Sequence, residues 1–333
     1  MILQHFGLGE APFGLTPDTS FVYPSRAHSE AFDTLMVALE QGDGFIKITG
    51  EVGTGKTFLC RRMLGALGAL QSRYTTLFLP NPCTQPRGLL LALCHELGLS
   101  LGYNPAQYKL LPALTDALLK HAVEGRTVVV CLDEAQAMPD EVLECLRLLT
   151  NIEGEKHRLL RVVMFGQPEL DVKLAQPHMR QLTQRISFHY KLTALSDAET
   201  LAYLNHRLRV AGHRGATVFG AREAKLMHRL TAGTPRLINL VAHKALMLAY
   251  GSGEIQVSSA HVRAAAQDTP ATAQRGWVPR WEAVRAAMRE RFSGLPRSGS
   301  RSGPSRGSSS GSSNSSSSGL NAASSIGRYW SLS

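Results

Sequence analysis

Short apolar runs alternate with amphipathic stretches over the first 190 or so residues of the chain. The apolar runs are short and rich in β-branched residues, which is typical of strands, whereas the stretches between them have the three-to-four-residue period of helices. This alternation predicts an α/β fold in which helices cover both faces of a parallel sheet. The predicted strands are residues 45–49, 74–79, 126–132, 159–165 and 186–190, and the predicted helices are residues 25–41, 58–70, 84–98, 104–123, 141–150 and 169–184.

The strand pattern ends near residue 192, and only helical patterns follow it. Four amphipathic segments are separated by glycines at positions 212, 233, 251 and 253. We therefore predict an α/β domain over residues 25–192 and a small all-helical lid domain over residues 193–268. The predicted lid helices are residues 196–211, 219–231, 235–250 and 258–266.

Neither end of the chain has a long hydrophobic period. Residues 1–24 are rich in glycine, proline and aromatic residues, which predicts an extended segment laid across a surface. Residues 269–292 are predicted to be a linker, in which residues 277–292 form a short basic amphipathic helix that either rests on anionic lipid or packs back on the lid. Residues 293–333 are mostly serine, glycine and arginine, so we expect this tail to be disordered.

The composition excludes several classes of protein. The five cysteines form no CxxC pair and are odd in number, which argues against a disulfide framework and against a zinc site. No segment approaches the roughly 18 apolar residues that a membrane span requires, and the first residues do not resemble a secretion signal. We expect a reduced, cytoplasmic protein.

The positive charge is concentrated near the C-terminal end. Of the formal net charge of +10, nine arginines against two glutamates lie beyond residue 268, which leaves about +3 for the remainder. A nearly balanced folded part argues against a nucleic-acid partner.

Residues 50–57 have the sequence GEVGTGKT, between a predicted strand and a predicted helix. This is the spacing and the context of a P-loop, in which glycines let successive backbone N–H groups surround the phosphates of a nucleotide. Lys56 reaches the outer phosphates, and the Thr57 hydroxyl is suited to Mg²⁺. The predicted nucleotide-binding residues of this segment are Gly50, Glu51, Val52, Gly53, Thr54, Gly55, Lys56, Thr57 and Phe58.

An acidic pair follows the apolar run VVVCL, about 75 residues after the P-loop lysine. In parallel sheets, ligands bind beyond the carboxyl ends of the strands, where the P-loop also lies. We predict that Asp133 holds Mg²⁺ through water and that Glu134 orients and polarises the water that attacks the γ-phosphate.

Four polar positions further along the chain are candidates with two interpretations each. Gln167 follows the next strand and is either a γ-phosphate sensor or part of a simple turn. Arg185, and less favourably Arg180, is either an arginine finger that acts on a neighbouring subunit or solvated surface. Arg236, in GTPRLIN, either contacts the nucleotide from the lid or only follows a good helix start.

These motifs, together with PFGLTPDTSFVYPSRAHSEAF near the start, resemble in order those of the general secretion pathway protein A (ExeA-type) AAA+ ATPases over about residues 6–268. Members that serve MSHA pilus biogenesis are the nearest. The resemblance implies a P-loop NTPase fold of the AAA+ type and a ring, expected to be hexameric, with ATP at the subunit boundary. It implies Walker A at residues 50–57, Walker B at Asp133 and Glu134, sensor 1 at Gln167, a finger at Arg185 and sensor 2 at Arg236.

The resemblance implies an ATPase that drives or regulates assembly of a type IV pilus or a type II secretion machine, with inner-membrane components of that machine as partners. Longer members continue into a transmembrane helix and a cell-wall-binding domain, which we do not expect here. Peripheral contact with the inner membrane through residues 277–292 is predicted. Two alternatives remain: an ATP-dependent DNA-binding regulator of the transposition-ATPase type, and a scaffold in which nucleotide only sets the conformation.

Overall fold

Five parallel strands form one sheet within residues 45–192. The computed structural model describes residues 1–14, 19–42, 44–102, 105–152 and 158–273. The strands are β1 Phe45–Gly50, β2 Tyr74–Leu79, β3 Thr127–Leu132, β4 Leu160–Gly166 and β5 Ile186–Leu192. They pair in the order β2-β3-β4-β1-β5, and all pairings are parallel. The predicted parallel sheet is therefore confirmed, with the P-loop strand β1 next to β4.

Helices connect the strands and continue after the last one. Single 3₁₀ turns occur at Thr19–Phe21, Ala135–Ala137 and Pro177–Met179. The α-helices are α1 Ile2–His5, α2 Arg26–Gln41, α3 Lys56–Gly68, α4 Pro86–Glu96, α5 Gln107–Val123, α6 Asp140–Leu149, α7 Pro168–Leu174, α8 Arg180–Thr183, α9 Asp197–Val210, α10 Ala221–Thr231, α11 Pro235–Ser252, α12 Ser259–Gln267 and α13 Pro270–Ala273. None of these helices is long and apolar enough to cross a membrane.

Both faces of the sheet are covered by helices, as the apolar strand β3 predicts. Val128 and Val130 of β3 belong to a core with α4, α5 and α6. Val129 and Cys131, which point to the opposite face, belong to a second core with α2 and α3. The sheet is thereby fixed from both sides, and the ends of its strands have defined positions.

The helices after β5 have a core of their own, which also receives the N-terminal segment. Phe6, Phe13 and Phe21 are buried there against α9 to α12, and the Phe13 ring meets Phe219 edge to face. The Arg207 guanidinium donates to the carbonyl of Pro12. Residues 1–24 are thus anchored by aromatic side chains, and they include α1 and a 3₁₀ turn where an entirely extended segment was predicted.

Some predicted boundaries differ from the structure. The prediction began one helix at residue 104, with Asn104 as its cap and Pro105 in its first turn, but α5 starts at Gln107 after Ala106 in an extended conformation. Pro105 therefore precedes the helix, and Asn104 lies outside the described residues. The helix after the P-loop starts at Lys56, two residues before the predicted start, because Gly55 already ends the loop. The predicted amphipathic helix 277–292 and the tail 293–333 also lie outside the described residues.

Candidate functional site

The candidate site lies at the carboxyl edge of the sheet, where β1, β4 and β3 are neighbours. β1 runs into the P-loop, β3 is followed by Asp133 and Glu134, and β4 is followed by Gln167. Residues from three separate parts of the sequence therefore meet because the three strands pair side by side. This is the edge at which parallel sheets bind their ligands.

The P-loop has the backbone of a phosphate cradle. Gly53 and Gly55 have φ values of +83° and +97°, which side chains rarely allow. The Lys56 ammonium donates to the carbonyls of Gly50 at 2.7 Å and Glu51 at 3.0 Å. Burial lowers the pKa of Lys56, and the carboxylates of Glu134 and Asp133 oppose that shift. Among the described residues, the hydrogen-bond acceptors of Lys56 are backbone carbonyls, which phosphate oxygens can replace.

Thr57 and Asp133 form a direct pair beside the loop. The Thr57 hydroxyl donates to Asp133 Oδ2 at 2.8 Å, and Asp133 is almost fully buried. A hydroxyl and a carboxylate are hard oxygen donors of the kind Mg²⁺ prefers, and Mg²⁺ typically needs only one or two of them in addition to phosphate oxygens and water. The described residues contain no cluster of three or more His, Cys, Asp or Glu that could hold a metal by itself. The pair therefore fits a nucleotide-bound Mg²⁺ rather than a protein-only metal site.

Glu134 is held by two amide groups. Its Oε2 accepts hydrogen bonds from Gln136 Nε2 at 2.6 Å and from Gln167 Nε2 at 3.0 Å. Burial alone raises the pKa of Glu134, but these amides and Lys56 outweigh it, so the pKa lies below its ordinary value. The carboxylate is ionised at neutral pH and can accept a hydrogen bond from water.

A pocket of about 410 Å³ opens in front of the P-loop. Its wall on the helical side includes Arg236, whose backbone N–H donates to the Gly53 carbonyl at 3.3 Å. Of the predicted site residues, it is lined by Val52, Gly53, Thr54, Gly55, Lys56, Thr57, Phe58, Glu134, Gln167 and Arg236. The N-terminal segment, α2, α9 and α11 complete it with Gly14, Phe21, Val22, Tyr23, Ser25, His28, Tyr203, Arg207, Pro235 and Asn239, and Leu195 adds one apolar contact.

His28 and Gln136 are site residues that the sequence interpretation missed. No role was predicted for His28, yet it lines the pocket, with its Nδ1 2.7 Å from Ser25 Oγ and its ring against Gly55. Burial lowers the pKa of His28. A single sequence gives no signal for either residue. His28 reaches the loop from a segment that is distant in sequence, and Gln136 is positioned by a local turn.

The two candidate finger arginines lie away from this pocket. Neither Arg180 nor Arg185 lines it, Arg180 is exposed, and Arg185 Nη1 donates to Thr150 Oγ1 at 3.4 Å. Their side chains are therefore not brought to the nucleotide loop of their own chain, and their role as fingers stays a prediction.

Two sequence comparisons bear on the family. A family model described as an AAA domain matches residues 39–174. General secretion pathway protein A of Aeromonas hydrophila is 39% identical over 276 residues, which are 83% of this chain and 50% of that protein. The chain thus spans about half the length of the curated relative that it matches.

Solved structures share the fold at low sequence identity. The Aeropyrum pernix ORC2 protein, in ADPNP–ADP complexes, matches with a TM-score of 0.57 and 19% identity, over 83% of this chain and 74% of that one. Cdc6p of Pyrobaculum aerophilum matches with a TM-score of 0.58 and 15% identity, over 84% of this chain and 75% of that one. Drosophila ORC bound to DNA matches with a TM-score of 0.59 and 16% identity, over 82% of this chain and 67% of that one. The matched domain and the relative together place the chain in the AAA ATPase family, among the relatives of general secretion pathway protein A.

Proposed function

We propose that the chain binds ATP with Mg²⁺ and hydrolyses it. The observation that supports this best is the meeting of three strand ends: Lys56, the Thr57–Asp133 pair and the amide-held Glu134 lie at one edge of the sheet. Lys56 and Thr57 follow β1, Asp133 and Glu134 follow β3, and Gln167, whose amide donates to Glu134, follows β4. A nucleotide-binding role alone would not require a carboxylate held by side-chain amides.

In this proposal the P-loop backbone and the Lys56 ammonium bind the β- and γ-phosphates. Thr57 and Asp133 would hold Mg²⁺, which neutralises charge on the phosphates when bound. Glu134 orients a water and accepts its proton as the water oxygen bonds to the γ-phosphorus, while the bond from that phosphorus to the β-phosphate oxygen breaks and ADP leaves; the proton then passes to the phosphate product. Gln167 would contact the γ-phosphate from the sheet, and Arg236 would contact the nucleotide from the lid; both line the pocket.

The role in the cell is proposed from the relative. General secretion pathway protein A carries its pathway in its name, and we infer that this chain drives or regulates assembly of a type II secretion machine or an MSHA-like type IV pilus. A ring of subunits, with Arg185 of one acting on the ATP of the next, is part of this proposal. We also propose that inner-membrane components of the machine are the partners of this chain. Its proposed location is cytoplasmic, with membrane contact through residues 277–292.

Glu134→Gln tests the hydrolase proposal. Because a positioned general base contributes about 10²- to 10⁴-fold to rate, we expect ATP turnover to fall by that order while ATP binding remains. Glu141→Gln makes the same chemical change at an exposed position of α6 and should leave turnover unchanged. Equal turnover in wild type and Glu134→Gln would refute the proposed hydrolysis.

Lys56→Ala tests the nucleotide-binding part separately. The variant loses a charged donor, worth about 1.5–3 kcal/mol, so we expect the dissociation constant for ATP to rise about 10- to 100-fold. Titration calorimetry with a non-hydrolysable ATP analogue measures it. Unchanged affinity would contradict the assignment of the loop.

One observation favours DNA binding as a second candidate function. Arg222, Lys225 and Arg229 are exposed on one face of α10, and none is in an ion pair with another described residue. If they contact phosphates, Ala at all three should weaken binding of duplex DNA and reduce its salt slope by about 2 to 3. Ala at Lys109 and Lys120 of α5 is the control, and undetectable DNA binding by the wild type would dismiss this candidate.

A further inference from the structure

Gln136 bridges the ends of two neighbouring strands at the candidate site. It lies in the 3₁₀ turn directly after Glu134, on the β3 side. Its Nε2 donates to Glu134 Oε2, and its Oε1 accepts the backbone N–H of Gln167 at 3.0 Å, just beyond β4. The amide nitrogen of Gln136 thus bonds the residue after β3, and its amide oxygen bonds the residue after β4.

The surroundings of Gln136 leave room for this bridge. An added side-chain carbon at Gly166 would lie 3.3 Å from Gln136 Oε1 and 2.7 Å from Leu170 Cδ2. Any larger residue at position 166 would therefore crowd the end of β4 where the bridge forms. The approach of the Gln136 side chain depends on this glycine, which is the last residue of β4.

Glu134 is a residue whose orientation needs support. Its φ of +53° is in the left-handed region, which is unfavourable for a glutamate. Both amide donors converge on Oε2, and no described residue donates a hydrogen bond to Oε1. The carboxylate is therefore held through one oxygen, and the other is available to a water molecule.

We propose that Gln136 is a positioning residue for hydrolysis, which fixes the Glu134 carboxylate relative to β4. The inference rests on the proposed function, in which Glu134 aligns the attacking water. Because Gln136 also binds the backbone of Gln167, it ties the water-aligning carboxylate to the residue proposed to contact the γ-phosphate. Alanine removes both hydrogen bonds, and methionine keeps the length of the side chain but cannot make either.

Kinetics and binding separate positioning from a merely structural role. In Gln136→Ala and Gln136→Met we expect kcat to fall about 10- to 100-fold, because a displacement of about 1 Å at a reacting group costs on the order of 10²-fold. The affinity for a non-hydrolysable ATP analogue should change less than about threefold, because Gln136 does not line the pocket. Gln71→Ala, at an exposed glutamine, should match the wild type in both. Unchanged kcat, or a loss of affinity as large as the loss of kcat, would overturn the inference.

A double variant tests whether Gln136 acts through Glu134. If it does, adding Gln136→Ala to Glu134→Gln should leave the residual rate unchanged, since the two residues then share one interaction. A further tenfold loss in the double variant would contradict the inference.

A crystal structure of Gln136→Ala with the ATP analogue provides a test that does not use activity. We expect the Glu134 side chain to leave its wild-type position, whereas an unmoved carboxylate would overturn the inference. If wild-type protein binds ATP without hydrolysing it, the proposed function fails while this structural test still decides whether Gln136 positions Glu134.

Discussion

At the scale of single residues, each of the two left-handed glycines of the P-loop meets a side chain from elsewhere in the fold. An added side-chain carbon would lie 2.6 Å from Arg236 Cβ at Gly53 and 2.6 Å from His28 Nε2 at Gly55. The motif requires glycine for its backbone, but the structure adds a second reason, since α2 and α11 pack directly against the loop.

Gly55→Ala should therefore destabilise the loop for two reasons. Alanine is strained at a φ of +97°, and its side-chain carbon would collide with the His28 ring. Backbone strain of this kind costs about 1–3 kcal/mol, and we expect ATP affinity to fall by about tenfold or more. Gly65→Ala, in helix α3 after the loop and with open space around it, should be neutral or slightly stabilising. Calorimetric titration and thermal unfolding of both variants measure this; similar behaviour of the two would contradict the account of the loop.

Local motifs made part of the site predictable at this scale. Residues 50–57 and the pair Asp133–Glu134 were proposed from short patterns whose chemistry depends on neighbouring residues in the sequence. His28 and Gln136 could not be proposed in this way. His28 reaches the loop across 27 residues of sequence, and Gln136 acts through a turn whose direction is set by the left-handed backbone of Glu134.

At the scale of elements, the start of α9 joins the helical region to the α/β region. Ser196 Oγ accepts the backbone N–H of Glu199, and Glu199 Oε2 accepts the backbone N–H of Ser196, which is a capping box. Glu199 Oε1 also accepts the backbone N–H of Arg26 at the start of α2, at 3.2 Å. The capping box joins residues three apart in the sequence, whereas the link to α2 depends on the tertiary structure.

Ser196→Ala should lower the free energy of unfolding by about 1 kcal/mol, the usual effect of losing such a cap.

Burial raises the pKa of Glu199, but hydrogen bonds from Ser196 and Arg26 and the charge of His28 bring it below its ordinary value. A carboxyl whose pKa is lower in the folded state stabilises the fold above its unfolded pKa and loses that contribution as the pH falls through the folded value.

The pH dependence gives the test. Glu199→Gln should weaken the fold at pH 7 and remove part of the loss of stability on acidification below about pH 4.5. Urea unfolding at pH 7 and pH 4 measures both effects. If the free energy of unfolding falls on acidification by the same amount in Glu199→Gln as in the wild type, the carboxylate has no such role.

At the scale of the whole molecule, the pocket is assembled from the sheet edge, the N-terminal segment and the helical region. The arginines 180 and 185 lie outside it. If Arg185 supplies the finger, it must act on a second copy of the chain, so that the complete site exists only in an assembly.

Mixing inactive variants tests that arrangement. Arg185→Ala and Glu134→Gln should each lose ATP turnover, because each lacks one half of every site. Together they should regain part of it, since an Arg185→Ala subunit keeps Glu134 and a Glu134→Gln neighbour still supplies Arg185. Arg180→Ala, in the same segment, is the control and should remain active alone. No recovery in the mixture would count against a finger in trans.

The sequence by itself determined the fold class, the P-loop and the acidic pair, because hydrophobic periodicity and short motifs depend on neighbouring residues. It did not determine that the N-terminal aromatic residues belong to the helical core, that His28 packs on Gly55, or that Gln136 bridges β3 and β4. Those features arise from packing between distant segments, whose partners are fixed only when strand order and helix placement bring them together.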